Sequence, residues 1–388
     1  MCSAPLDASR LRTDAPYTPK PVPDIASADL AALKSATDRM IQVNWTAAQG
    51  WADPEVVPYG PLALLPTASA LQYATECFEG MKVYRGHDGR LRLFRPMYNC
   101  ERMYNSAKRV TLPTFEPEQL LQLIRKICAL EAPKWLPPSQ AGSALYIRPT
   151  LIATDSSLGF KVPDEACLCI FLIYWPTPQQ ATPALNGAEP KGMRLITSSE
   201  DAVRAWPGGT GAAKIGGNYG LALQEHARAK EGGYDQVLWL YGPDRQITEA
   251  GSTNVFIMWK TQSGRLEILT SPLDERSLIL AGNTRRSVIE LARDMFVEKN
   301  IGGFEACDVV ERVFTMAEIE KANLDGRLVG MFAVGTAFWI QEVGKITHEE
   351  RDIHVPTNRV PHVGALRQKV SDIVYGVCQS EWADLITE

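Results

Sequence analysis

The stretch Gly208–Gly220, GGTGAAKIGGNYG, holds six glycines in thirteen residues, with Lys214 in the middle. Glycine at that density marks backbone in unusual dihedrals, or backbone that a ligand approaches closely. Two phosphate-loop readings fail on spelling. A Walker A loop needs Gly-Lys-Ser/Thr, but Lys214 lies between Ala213 and Ile215. A dinucleotide fingerprint needs a third glycine three residues after Gly211, and that position is Lys214 itself. What remains is a lysine among small residues in a desolvated pocket, where an amine pKa falls and its lone pair serves Schiff-base chemistry. A mobile glycine loop with a solvated lysine fits the same composition, and the segment alone does not choose between the two.

Downstream, Ile247–Phe256 reads ITEAGSTNVF, with Glu249 just ahead of Gly-Ser-Thr-Asn and a strand. Small hydroxyl residues beside a glycine make an anion-binding turn. A carboxylate next to such a turn suits a ligand with both a phosphate and a cationic nitrogen, and pyridoxal phosphate has both. A glutamate at a strand end is otherwise a surface residue. Gly282-Asn283-Thr284-Arg285 stands directly before a helical pattern over 284–298. Backbone N–H groups there can take a phosphate, and an ordinary N-cap at Asn283 is the alternative. Upstream, Tyr146-Ile147-Arg148-Pro149-Thr150 places Tyr146 and Arg148 on one face of a strand, and Cys77-Phe78-Glu79-Gly80-Met81-Lys82 carries an aromatic that suits a core.

The chain has 388 residues, enough for two or three domains. Its 40 basic and 45 acidic residues leave a net charge of -5, which gives no electrostatic reason to expect nucleic acid or an anionic membrane as partner. The longest near-continuous apolar run, 166–175, is about half the ~20 residues of a spanning helix. Eight scattered cysteines without a CxxC, and five histidines without HExxH, suggest small buried hydrophobes and no metal site. Strands are expected at 166–175, 193–197, 236–241, 254–259, 265–270 and 329–334, the first of them central. Helices are expected at 117–131, 217–230 and 284–298, with another near the C-terminus where Val363, Leu366, Val370, Ile373 and Val377 share a face. The proline-rich tract 176–190, PTPQQATPALNGAEP, reads as a linker between two α/β halves. Residues 1–25, with Pro5, Pro16, Pro19, Pro21 and Pro23 among three aspartates, resemble neither an export signal nor a presequence. They read as an extended, partly flexible arm on a cytoplasmic protein, with mitochondrial residence left open. The domain division is then 1–25 arm, 26–176 small α/β domain, 177–190 linker and 191–388 large α/β domain carrying Lys214.

Taken together, GGTGAAKIGGNYG, ITEAGSTNVF, CFEGMKVYRG, LYIRPT and GTA resemble, in order and separation over residues 35–340, the branched-chain amino acid aminotransferases. These are class IV aminotransferases of the fold-type-IV pyridoxal phosphate class. The resemblance implies an α/β protein with mixed sheets, two domains with the cofactor at their interface, and a homodimer in which a loop of one subunit closes the other's pocket. It implies transamination between L-leucine, L-isoleucine or L-valine and 2-oxoglutarate. By the same resemblance Lys214 would bind the cofactor and move the α-proton, Tyr219 would contact its phenolic oxygen, and Glu249 would pair with the pyridinium nitrogen. Arg102, Ser252 and the backbone of Asn283, Thr284 and Thr336 would hold the phosphate. Tyr73, Arg148 and the Thr336–Ala337 backbone would orient the substrate carboxylate, and Phe78 and Tyr146 would wall the side-chain pocket. Three positions depart from the family pattern: Ala36 replaces an aromatic in KSATDRM, Gln180 falls near a further pocket tyrosine, and Phe338 follows Gly335-Thr336-Ala337. They leave open a larger or modified 2-oxo acid as substrate. A cofactor-binding protein with a regulatory or partner-binding role is a third reading, against which the set Lys214, Tyr219, Glu249 and Arg102 stands.

Overall fold

The apolar run expected to form a central strand does so, within a nine-stranded sheet. A computed structural model describes residues 4–24, 27–176, 192–298, 301–357 and 361–388; the tract 177–190 read as a linker, Gln180 included, lies outside the described residues. The first sheet contains β1 (Arg39–Thr46), β2 (Gly50–Trp51), β3 (Glu55–Pro58), β4 (Glu76–Phe78), β5 (Met81–Arg85), β6 (Leu91–Phe94), β7 (Ala144–Ala153), β8 (Glu165–Trp175) and β18 (Ala383–Ile386). β8 pairs antiparallel with β7, from Ala144↔Trp175 to Ala153↔Ala166, and with β1 on its other edge. A strand flanked on both edges and covered on its faces needs no polar alternation, hence the continuous apolar run. The helices Pro96–Arg109 and Pro117–Trp135 contribute to the same core, where Leu120, Ile124 and Ile127 are buried with Val83, Leu145 and Ile170.

The second sheet contains β9 (Met193–Thr197), β10 (Gln236–Tyr241), β11 (Gln246–Ala250), β12 (Thr253–Lys260), β13 (Leu266–Thr270), β14 (Cys307–Glu311), β15 (Leu328–Gly335), β16 (Trp339–His348) and β17 (Arg351–His354). Its order runs β11-β10-β9-β16-β15-β12-β13-β14, and β11 also pairs with β12. That last pairing closes six strands, β11-β10-β9-β16-β15-β12, into a barrel without free edges among them. Leu195, Leu238, Ile257, Ala333 and Ile346 belong to its core. The mixture of parallel β9–β10 and antiparallel β11–β12 pairs gives the mixed sheet that was expected. Helices lie at Gly216–Glu231, Asn283–Ala292 and Pro361–Val374. The helix expected to run to 298 ends its regular part at Ala292 and continues as a π-helical turn, Arg293–Glu298.

Packing gathers the described residues of Met1–Leu185, Ala213–Gly217 and Ser371–Glu388 into one compact unit, and those of Asn186–Ala212 and Asn218–Val370 into another. The linear division assigned all of 191–388, Lys214 included, to the second half. Two pairings account for the difference: Cys77 forms a bridge with Ile215, and β18 pairs with β6. The N-terminal arm is also more tied down than expected. Leu6 and Ala8 are buried, and Ala8 is held on both sides, its N–H donating to Gln119 Oε1 at 2.7 Å and its carbonyl accepting from Lys126 Nζ at 3.1 Å. Cys77, Cys100, Cys128, Cys167, Cys169 and Cys307 are buried free thiols, and burial pushes Cys167 and Cys307 up to about 11. No described helix is long and apolar enough to cross a membrane.

Candidate active site

Lys214 is not a solvated residue on a loose loop. Its backbone N–H donates to Ser106 Oγ at 2.8 Å, and its carbonyl accepts from the N–H of Phe78 at 3.0 Å. Both backbone groups are therefore fixed on the first unit. The amine lies 4.9 Å from the centre of the Phe78 ring. Burial, then the nearby Arg102 guanidinium, pushes its pKa down to about 8. A protonated lysine would normally persist far above neutral pH; here a minor but useful fraction of neutral amine is present near neutral pH. The rate at which Lys214 condenses with an added aldehyde should thus rise with pH through about 8 and level off above it, because only the neutral amine attacks a carbonyl. A flat profile, followed by absorbance after mixing, would contradict the lowered pKa.

Around Lys214 the first unit assembles most of the residues expected there. Arg148 and Tyr146 project from β7, two residues apart and so on one face, and Arg148 Nη2 donates to Tyr146 Oη at 3.3 Å. The Arg148 guanidinium lies 4.6 Å from the Phe78 ring centre, and Tyr146 stacks on Trp175 at 5.0 Å. Arg148 Nε is buried and meets no acceptor among the described residues, as suits a group waiting for a carboxylate. Tyr73, at the end of the short helix Ser69–Tyr73, is exposed and packs edge-on against Phe160.

Arg102 has a partner that sequence reasoning missed. Its Nε and Nη2 hold the two oxygens of Glu79 at 2.6 and 2.8 Å. Glu79 is fully buried and also accepts from Asn99 Nδ2 at 2.9 Å and from the Gly80 N–H at 3.0 Å. Burial alone would raise its pKa, but the Arg102 charge and hydrogen bond, with Lys214 and Asn99, hold it below the usual carboxylate value. A buried carboxylate with four donors fixes the guanidinium that shares it. The motif CFEGMK contained this residue, yet nothing in its spacing distinguished it from a surface glutamate.

The second unit collects the other expected residues at one end of its barrel. Glu249 on β11 stands directly opposite Asn254 on β12, across the tight turn Gly251–Ser252. β12 runs antiparallel to β15 with Asn254 opposite Val334, so the exit of β15 at Thr336–Ala337 lies at the same end. Helix Asn283–Ala292 starts there too, since a Cβ on Gly282 would come within 2.1 Å of Asn254 Oδ1. Its first turn presents Asn283 and the buried Thr284, and a helix N-terminus attracts anions. Arg285 turns away, to Glu311 and the Ser271 carbonyl, both at 2.7 Å. Glu249 is buried; its Oε1 accepts from the Leu280 N–H at 2.8 Å and from Asn254 Nδ2 at 3.1 Å. Tyr219 and Ser252 line a cavity of ≈ 180 Å³ with Arg204, Asn218, Trp239 and Leu280. This donor set suits a dianionic phosphate beside a cationic ring nitrogen.

A model of the amino-transferase class IV family matches residues 76–346, the span from Glu76 ahead of Phe78 to the end of the barrel. The chain belongs to that family. Within it, this class IV aminotransferase is 41% identical over 370 residues to the cytosolic branched-chain-amino-acid aminotransferase of Mus musculus, covering 94% of this chain and 88% of the mouse one. It is 39% identical over 392 residues to the mitochondrial enzyme of the same name from Saccharomyces cerevisiae, covering 99% and 94%. In fold it is similar to the solved branched-chain amino acid aminotransferase from Escherichia coli, with a TM-score of 0.65, 24% identity, and coverage of 91% of this chain and 100% of that one. The class IV aminotransferase is thus a branched-chain amino acid aminotransferase by family.

Proposed function

We propose that the chain moves the amino group of L-leucine, L-isoleucine or L-valine to 2-oxoglutarate, with pyridoxal 5'-phosphate as cofactor. The observation that carries this reading is Lys214, an amine with a pKa lowered to about 8 on a backbone pinned at both its N–H and its carbonyl. When bound, the cofactor supplies a protonated ring that stabilises negative charge developing at the substrate Cα. Lys214 Nζ would take the proton from the substrate Cα and deliver it to the cofactor's C4′, two bonds away, and its near-neutral pKa suits both directions. Glu249 would keep the ring nitrogen protonated and Tyr219 would contact the phenolic oxygen. Ser252 and the N–H groups of Asn283, Thr284 and Thr336 would hold the phosphate from the second unit, and Arg102, which Glu79 keeps in place, would bind it from the first. Arg148, Tyr73 and the Thr336–Ala337 backbone orient the substrate carboxylate, while Phe78 and Tyr146 wall the side-chain pocket and exclude water.

The substrate assignment is tested by kcat/KM over a panel of amino donors and 2-oxo acids. Leucine, isoleucine and valine should lead; a larger or modified substrate at the head would overturn it. Phe338 does not favour that alternative, since its ring packs against the core of the second unit. Ala36 pairs with Ile173 at the end of β8. The chain is further read as a homodimer working in the cytoplasm. Leu158, Phe160 and Val162, exposed between β7 and β8, offer apolar surface that a second copy would cover. Light scattering that returns the mass of one chain would remove the dimer, and cell fractionation tests the compartment.

A further inference from the structure

Arg204 lies outside the motifs that the sequence marks, yet three segments of the second unit meet on its guanidinium. Nε sits 2.6 Å from Glu249 Oε2, with both side chains almost buried. Nη1 donates to the Gly211 carbonyl at 3.3 Å and the Leu278 carbonyl at 3.2 Å, and Nη2 also reaches Gly211 at 3.3 Å. These carbonyls belong to the glycine loop three residues before Lys214 and to the loop leading into helix Asn283–Ala292. The two loops are in close contact at Gly211: a Cβ there would meet Ala205 Cβ at 2.4 Å and the Ser277 carbonyl oxygen at 2.6 Å. Glu249 Oε1 is already committed to Leu280 and Asn254, so Arg204 fixes the second oxygen and with it the carboxylate plane. A planar guanidinium can serve all three acceptors at once, which an ammonium cannot do in the same geometry.

We infer that Arg204 is the positioning residue for Glu249. It supplies the charge partner that a buried carboxylate requires and ties the aim of that carboxylate to both loops that flank the cofactor residues. The inference rests on the reading of Glu249 as partner of the cofactor's ring nitrogen.

The test is a double-mutant cycle of Arg204→Met with Glu249→Gln. It is read as pyridoxal phosphate affinity of the cofactor-free chain by equilibrium dialysis, as the absorbance spectrum of the loaded protein, and as kcat and KM for leucine separately. Arg204→Met should weaken cofactor binding and lower kcat by about 10- to 100-fold, the range set by losing a hydrogen bond to a charged group, while KM moves little. Arg204→Lys should recover part of both, because its ammonium still pairs with the carboxylate. In the Glu249→Gln background the Arg204→Met loss should nearly vanish. Wild-type affinity and spectrum in Arg204→Met, no recovery in Arg204→Lys, or a fully additive cycle would each overturn the assignment. Should Arg204→Met not fold, Arg204→Gln takes its place in the same cycle. If Glu249→Gln alone changes neither affinity nor spectrum, the Glu249 reading falls and takes this one with it, whereas additivity removes Arg204 only.

Discussion

Lys214→Ala should fold like the parent and lose at least about 10⁴-fold of its turnover, the combined worth of a nucleophilic amine and a positioned proton carrier. Folding should survive because the contacts that fix this segment are made by backbone: the N–H on Ser106, the carbonyl on Phe78, and the Cys77–Ile215 bridge one residue on. The substitution also removes an amine whose charge is penalised by burial. The other buried lysine near the aromatic wall, Lys82, is directed onto the Trp175 ring, 4.6 Å from its centre. The measurement pairs a thermal melt with a single-turnover reaction against leucine. Residual transamination above about one percent in a folded variant would end the assignment of Lys214, since the two roles together should leave far less.

Glu249→Gln should lower kcat by roughly 10²- to 10³-fold, the scale on which a single preorganised electrostatic partner acts. The replacement is isosteric, so one terminal oxygen can still accept from Leu280 and Asn254. What disappears is the negative charge, and with it the reason for the cofactor ring to stay protonated. The variant also leaves the Arg204 guanidinium, 10% exposed, facing a neutral amide at the position of Oε2. An uncompensated buried charge typically costs about 3–5 kcal/mol, so a lower melting temperature should accompany the slower rate. The two effects separate if kcat is measured well below the melt. An unchanged kcat would take Glu249 out of the catalytic scheme even if stability fell.

The elements most legible in sequence were those whose pattern is local. β9 and β10 begin and end where their apolar runs do, and the helix at Pro117 starts on a proline suited to its first turn. Glu249 and Lys214 could be singled out because glycine and small hydroxyl residues crowd around them. Glu79, Asn254 and Arg204 could not, since their significance arises only when distant strands and loops converge. An isolated charged residue in sequence looks the same whether it ends in water or against a buried partner. The same limit explains the N-terminal arm: its prolines announce extended chain, but whether Leu6 and Ala8 find a surface to pack on depends on a helix a hundred residues away. It explains the domain division as well, because a linear cut cannot anticipate a short segment such as Ala213–Gly217 returning to the first unit.

The pairing of β18 with β6 bears on how the protein is made. Leu385 lies opposite Arg92 and Ile386 opposite Leu91, and Arg85, wholly buried on the adjacent β5, shares its guanidinium with the Glu388 carboxylate. Some 290 residues separate these partners, so during synthesis the first sheet must wait with one edge unfinished until residues 383–386 have left the ribosome. For that interval β6 offers an unpaired ladder to any neighbouring strand, nascent or mature. Emergence of residues 383–386, rather than completion of the first half, is then the moment at which this sheet can close, and slow translation of the second half lengthens the exposure during which chaperones matter most.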